Sequence, residues 1–161
     1  MPSTPTIRPA QADDRDWIVE AHGDLYAREF GFGPAFRAGI AEKMKAILAL
    51  DDAFTRLWIA ETGGVRAGSA AIWRQAADTA FLNFVLVYPA FRGQGLAETL
   101  MARAIEHARD HDLGQLRLET YSCLAAARRL YARKGFALTE VEPDIAKFGQ
   151  VFDREFWTLR L

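Results

Sequence analysis

The chain has 161 residues, half of them hydrophobic and a quarter charged, enough for one sizeable core without disulfide or metal staples. Its 20 basic and 21 acidic residues leave a net charge of −1, which argues against a nucleic-acid partner, since that would demand a basic excess or stripe. One cysteine excludes an internal disulfide, "MPSTPTIRPA" lacks a signal-peptide core, and no apolar run reaches membrane-spanning length, so a cytoplasmic protein with no membrane partner is expected.

In chain order, "TPTIRPA" reads as a short first strand. "DDRDWIVEAHGDLYAREF" reads as a helix capped by Asp13 or Asp14, with Gly23 weakening it by about 1 kcal/mol. "GFGP" is a break, and Pro34 suits the first turn of a second helix, "AFRAGIAEKMKAILAL". Its Phe36, Ile40, Met44, Ile47 and Leu48 follow helical spacing. The period then changes. "FTRLWIAE" and "VRAGSAAIWRQ" alternate as strands about a "TGG" turn. "TAFLNFVLVY" is almost wholly apolar, which predicts a strand buried on both faces. Residues 96–109 form a helix whose Leu96, Leu100, Met101, Ala104, Ile105 and Ala108 make one stripe. "QLRLETYS" is a strand, "AAARRLYARK" a helix, "GFALTEVE" a strand, and "REFWTLRL" the closing strand.

The order is therefore β-α-α-β-β-β-α-β-α-β-β. Both strand-helix-strand crossovers fall in the second half, so a mixed α/β fold with a partly parallel, partly antiparallel sheet is predicted. No repeat, low-complexity segment or linker divides the chain, which reads as a single domain over residues 1–161.

One stretch carries chemistry. In "VYPAFRGQGLAETL" an apolar strand meets a proline, then Arg92-Gly93-Gln94-Gly95, and then a helix begins at once. Open N–H groups at a helix start attract phosphate, glycine lets a ligand approach the backbone, and Arg92 adds a full charge. The spacing fits neither the P-loop nor the G-x-G-x-x-G dinucleotide pattern. On the residues alone, a phosphate cradle and a glycine-rich turn with a surface arginine both stay open.

The stretch resembles the coenzyme A loop of the Gcn5-related N-acetyltransferases, Gln/Arg-x-x-Gly-x-Gly/Ala after a strand ending Val-x-Pro. Val87, Pro89, Arg92, Gly95 and Ala97 match. A second family block, Ala-x-x-Leu-Tyr-x-x-x-Gly-Phe, is matched by Ala127, Leu130, Tyr131, Gly135 and Phe136, and the element order agrees along the whole chain. "HGDLYAREFGF", "FGQ" and "FWTLRL" further resemble the acetyltransferase domain often fused to winged-helix regulators of the multiple-antibiotic-resistance type. No winged helix is present, so the chain looks like that catalytic domain standing alone.

The resemblance implies acetyl transfer from acetyl-CoA, with no metal, to a primary amine of a small molecule or protein. A homodimer is left open. It implies a sheet splayed at its centre, with the pantetheine arm pairing along Leu86 and Val87. The pyrophosphate would sit on Arg92, Gly93, Gln94, Gly95, Leu96 and Ala97. An oxyanion donor is expected from the backbone near Val87, and Tyr131 is implied as the acid that protonates the leaving thiolate. The family's glutamate near positions 83 and 84 is replaced by Asn83 and Phe84, and its asparagine before Ala127 by Leu124. An amine of pKa about 10.4 is neutral in roughly one molecule in 2,500 at pH 7, so a proton acceptor is needed. His22, Tyr26 and Glu29 share one face of the first helix, and His22 or Glu29 is expected to relay the proton; Glu119, beside the slot, and water are alternatives.

Several other residues receive plainer readings. Cys123 is expected to be a buried cysteine, and His107 and His111 to lie at the surface. Arg128, Arg129, Arg133 and Lys134 read as a solvated face whose end could meet the coenzyme's 3′-phosphate. At least half of Tyr26, Phe30, Phe32, Phe36, Trp73 and Phe84 are expected in the core, the rest lining an aromatic pocket. A non-catalytic acyl-CoA sensor and a glycine-rich nucleotide binder are the competing functions.

Overall fold

A computed structural model describes residues 4–161. The strands are β1 (Thr6–Pro9), β2 (Arg56–Thr62), β3 (Val65–Ala76), β4 (Thr79–Val87), β5 (Gln115–Tyr121), β6 (Ala137–Lys147) and β7 (Gln150–Arg160). The helices are α1 (Ala12–Phe30), α2 (Pro34–Ala49), α3 (Leu96–Asp110) and α4 (Ala125–Arg133), and the element order is the predicted one. The sheet runs β1-β2-β3-β4-β5-β7-β6; β4 and β5 pair in parallel and every other neighbour is antiparallel.

Helices cover both faces. The apolar stripe of α3 (Leu96, Leu100, Met101, Ala104 and Ala108) packs with Ala70, Ile72, Leu82, Leu116 and Leu118 on one side. On the other, Ile18 of α1 and Phe36, Ile40 and Met44 of α2 pack with Ile59, Ala71, Phe84, Tyr121 and Phe152. Gly23, a weak helix former, sits where α1 crosses α2: a Cβ there would lie 2.9 Å from the Arg37 Cβ. The glycine lets the two helices approach closely, which offsets its poor propensity.

The start of α1 differs from expectation. Gln11, not Asp13 or Asp14, is the N-cap, and Asp14 stands at the third helical position, accepting the Gln11 N–H at 2.7 Å. Asp14 is drawn inward because Arg8 of β1 and Arg66 of β3 donate to its carboxylate at 2.6 and 2.8 Å. One buried acid thus ties α1 to two strands.

The last hairpin is longer than its sequence pattern. β6 runs on to Lys147 and β7 begins at Gln150. Phe148 in the turn packs on Phe32 and Phe36, and its carbonyl accepts the Gly33 N–H at 2.8 Å. The hairpin tip therefore covers the joint between α1 and α2.

Candidate active site

The site begins with a break in the sheet. Pairing of β4 with β5 ends at Leu82 and Leu118, while β5 stays paired with β7 as far as Tyr121. The cause is a bulge in β4. Ala71 faces Asn83 and Ser69 faces Leu86, so three steps of β4 oppose two of β3. Phe84 takes a positive φ of 55°, a left-handed conformation that strains a bulky residue by roughly 1–2 kcal/mol. The buried Ser69 hydroxyl holds it there, donating to the Phe84 carbonyl at 2.6 Å. The bulge also reverses which face each residue meets: Leu82, Val85 and Val87 pack on the α3 side, whereas Phe84 and Leu86 pack on the α1 side.

Two clefts fill the gap. The larger, about 740 Å³, is lined by Val85, Leu86 and Val87 of β4, by Leu25, Tyr26, Glu29 and Phe30 of α1, by the loop into α3, and by residues from Cys123 into α4. The smaller, about 90 Å³, is bordered by His22, Phe36, Lys43, Asn83, Phe84, Glu119 and Tyr121. Tyr26, Val85, Leu124, Ala127 and Tyr131 line both, so the two clefts meet there.

Of the residues expected at the phosphates, Arg92, Gly93, Gly95, Leu96 and Ala97 line the larger cleft, with Leu86 and Val87 along its floor; Gln94 is exposed and does not line it. Gly93 and Gly95 have φ of 79° and 74°, which glycine adopts without strain. The N–H groups of Gly93, Gln94 and Gly95 have no acceptor among the described residues, and those of the first turn of α3 lack helical partners by geometry. A row of open donors at a helix start favours an anion. A Cβ at Gly93 or Gly95 would meet nothing within 4 Å, so this backbone borders open space.

Tyr131 is 7% exposed, and its hydroxyl has no protein partner among the described residues. Burial pushes its pKa up to about 12. It is therefore protonated at neutral pH, with its only polar atom unpaired where the clefts join. Tyr26, between His22 and the larger cleft, is raised in the same direction by burial.

His22 and Glu29 share a helix face but open onto different clefts. The His22 ring is stacked 6.0 Å from that of Tyr26 and is buried; its Nδ1–H donates to the Ile18 carbonyl at 2.7 Å, so Nε2 carries the free lone pair. Burial lowers its pKa from 6.5 to about 4. The kinetic pKa near 6.5 that an ordinary imidazole relay would give is thus displaced. The same shift predicts a stability slope. The unfolded chain protonates His22 below its ordinary value while the folded chain resists, so stability is full above about pH 6.5 and falls toward pH 4, by on the order of 3 kcal/mol. Denaturant titrations across that window should show the slope in the parent and lose it in His22→Gln; a slope that survives the substitution assigns it elsewhere.

Glu29 is paired with Arg92, whose Nη1 and Nη2 donate to its two carboxylate oxygens at 2.9 and 2.5 Å, and the guanidinium holds the carboxyl below its usual range. Glu119 borders the smaller cleft, 3.6 Å from the Lys43 ammonium and 3.1 Å from Arg154. The Asn83 side chain accepts the Trp73 indole N–H at 2.6 Å.

Three expectations are corrected. Cys123 is exposed and lines the larger cleft, because the chain leaves the sheet just after Tyr121. Arg128 is only partly solvated: it anchors α4 to the buried Glu155 of β7 at 2.8 Å. His107 is half-buried, with Nε2–H donating to the Phe54 carbonyl at 2.6 Å, because Phe54 and Trp58 pack on its ring. Among the aromatics, Phe32, Phe36 and Phe84 are core, while Tyr26 and Phe30 line the larger cleft. The bulge at Phe84 and Val85 was not foreseen; an apolar run with Asn83 as its one interior polar residue carries no phase signal that could reveal it.

A parted mixed sheet with a donor-lined loop at the mouth of the gap defines a class, and comparison with known proteins names it. The profile of the acetyltransferase (GNAT) family matches residues 17–136, so the chain belongs to that family. It is 32% identical over 108 residues to the L-methionine sulfoximine/L-methionine sulfone acetyltransferase of Salmonella typhimurium, covering 64% of this chain and 63% of that protein. It is 33% identical over 92 residues to the streptothricin acetyltransferase of Streptomyces lavendulae, covering 54% of this chain and 47% of the relative. The chain thus spans about half to under two thirds of the curated relatives it matches. Among solved structures, yncA of Salmonella typhimurium, determined with its cofactor acetyl-CoA, superposes with a TM-score of 0.78 at 27% identity, over 98% of this chain and 94% of that one.

Proposed function

We propose that the chain is an acetyl-CoA-dependent N-acetyltransferase, acting as one domain over residues 1–161 on a primary amine of a small molecule or protein. One observation carries the reading: a large cleft under a row of open N–H donors meets a small polar cleft at the unpaired hydroxyl of Tyr131. The larger cleft is roomy enough for a long phosphorylated coenzyme, and its loop has the anion-attracting backbone that a pyrophosphate needs. The family membership and the acetyl-CoA in the yncA structure support the same donor.

A thioester supplies an activated acyl group. The amine nitrogen forms the new bond to the acyl carbon, the carbon–sulfur bond breaks, and Tyr131 gives its proton to the departing thiolate. The amine enters from the smaller cleft, where the neutral His22 Nε2 is an acceptor for its N–H and Glu119 is the nearby carboxylate. With its lowered pKa, His22 holds a proton poorly, so it orients the amine, and the proton passes on to a carboxylate, Glu29 or Glu119, or to water. The clefts border residues of "HGDLYAREFGF", the stretch on which kinship with the regulator-fused domains is proposed. A cytoplasmic location fits the single cysteine, and no helix among the described residues is long and apolar enough to cross a membrane.

Release of free thiol from acetyl-CoA over a panel of primary amines tests the activity, and silence across small amines and peptide amines would count against it. Calorimetry on Gly95→Val tests the loop. Valine is strained at a φ of 74° and projects into the open space before the donors. CoA affinity should fall about ten- to hundredfold with the circular dichroism unchanged. Parent-like affinity would remove the loop from the coenzyme site.

A further inference from the structure

Arg92 opens the loop at the mouth of the larger cleft, immediately before the open donors of Gly93, Gln94 and Gly95. A phosphate held by those donors would also draw the guanidinium. That guanidinium is already engaged. Two of its nitrogens bond the two oxygens of Glu29 at 2.9 and 2.5 Å, and Nε reaches the Val87 carbonyl at 3.3 Å. The pair joins the last turn of α1 to a loop 63 residues away, and Glu29 has no second cation among the described residues. A carboxylate and a phosphate use the same parallel N–H pair of an arginine fork. Glu29 and a bound phosphate therefore compete for one group.

We propose that Glu29 sets the coenzyme affinity of the donor cleft by competition: its carboxylate stands on Arg92 in place of a phosphate, and the coenzyme's pyrophosphate must displace it. This rests on the coenzyme reading of the cleft. A thioester without a pyrophosphate leaves the pair intact, so the pair lowers the affinity of the phosphate-bearing donor alone. Displacement also frees a carboxylate at the cleft wall only when the coenzyme is bound.

Calorimetric titration with CoA at one fixed salt concentration, on the parent, Glu29→Gln, Arg92→Ala and the double variant, tests this. Glu29→Gln should bind CoA about two- to fivefold more tightly, the span of a partly exposed ion pair, and the gain should vanish in the Arg92→Ala background. An equal gain without Arg92 would mean simple repulsion between carboxylate and phosphate, and no gain in either background would mean that the pair stays intact beside the coenzyme; either result overturns the proposal. A parent that fails to bind CoA at all would overturn the donor-site reading itself, and this inference with it.

Discussion

Tyr131→Phe is expected to lower acetyl transfer about 10²–10⁴-fold, the usual effect of losing one acid–base group, with CoA affinity unchanged. The variant keeps the ring, which packs 5.9 Å from that of Phe136 in the α3-side core, and removes only the hydroxyl. That hydroxyl has no protein partner among the described residues, so its removal leaves no orphaned donor or acceptor there and the fold should hold. Its pKa of about 12 keeps it protonated through the neutral range, so it is available as an acid at every pH where the enzyme would be assayed. Turnover and CoA titration on the same preparations separate the alternatives. A large fall in turnover at constant affinity supports the acid. Unchanged turnover, with the chemical step shown to limit the rate, removes Tyr131 from the mechanism. A parent that binds CoA but turns over no amine would favour the sensor reading instead.

The second large effect concerns stability. Asp14→Ala should destabilise the fold by about 3 kcal/mol, read as a drop in the urea midpoint at constant slope. Asp14 is fully buried, yet its carboxylate takes both Arg8 terminal nitrogens at 2.6 and 3.0 Å, Arg66 at 2.8 Å and the Gln11 N–H at 2.7 Å. Alanine would remove the acceptor common to two arginines and to the start of α1. The arginines are partly exposed and can turn to water, which keeps the loss at the lower end for a broken buried pair. Asp14→Asn retains a cap acceptor without the charge and should fall between the two. The Arg8 hydrogen bond holds the Asp14 carboxyl well below its usual range. Its contribution is therefore present above about pH 4 and lost as the pH falls further, below the window assigned to His22. A loss under about 1 kcal/mol in the alanine variant, the level of a surface ion pair, would show that the cluster is replaceable by solvent.

What the chain alone determined is local. Helical and strand periods, with the continuous apolar run of β4, placed the eleven principal elements in order, because an element that buries one face records it in the spacing of its apolar residues. The two glycines between an apolar strand and an amphipathic helix marked the loop, since that conformation must be supplied by the residues themselves. The tertiary structure decided what depends on partners far away in sequence. The apolar run of β4 holds no alternation, so only its register with β3 and the hydroxyl of Ser69 put Leu82 and Phe84 on opposite faces and parted the sheet. Asp13 and Asp14 are equivalent as local caps, and Arg66, 52 residues from Asp14, helps draw that acid inside and shift the cap to Gln11. His22 and Glu29 lie on one helix face, but the packing of α1 against β4 buries the imidazole while Arg92 claims the carboxylate. Periodicity fixes which face a residue occupies. Its protonation and its partner are set by desolvation and charge, and those exist only after distant segments have met.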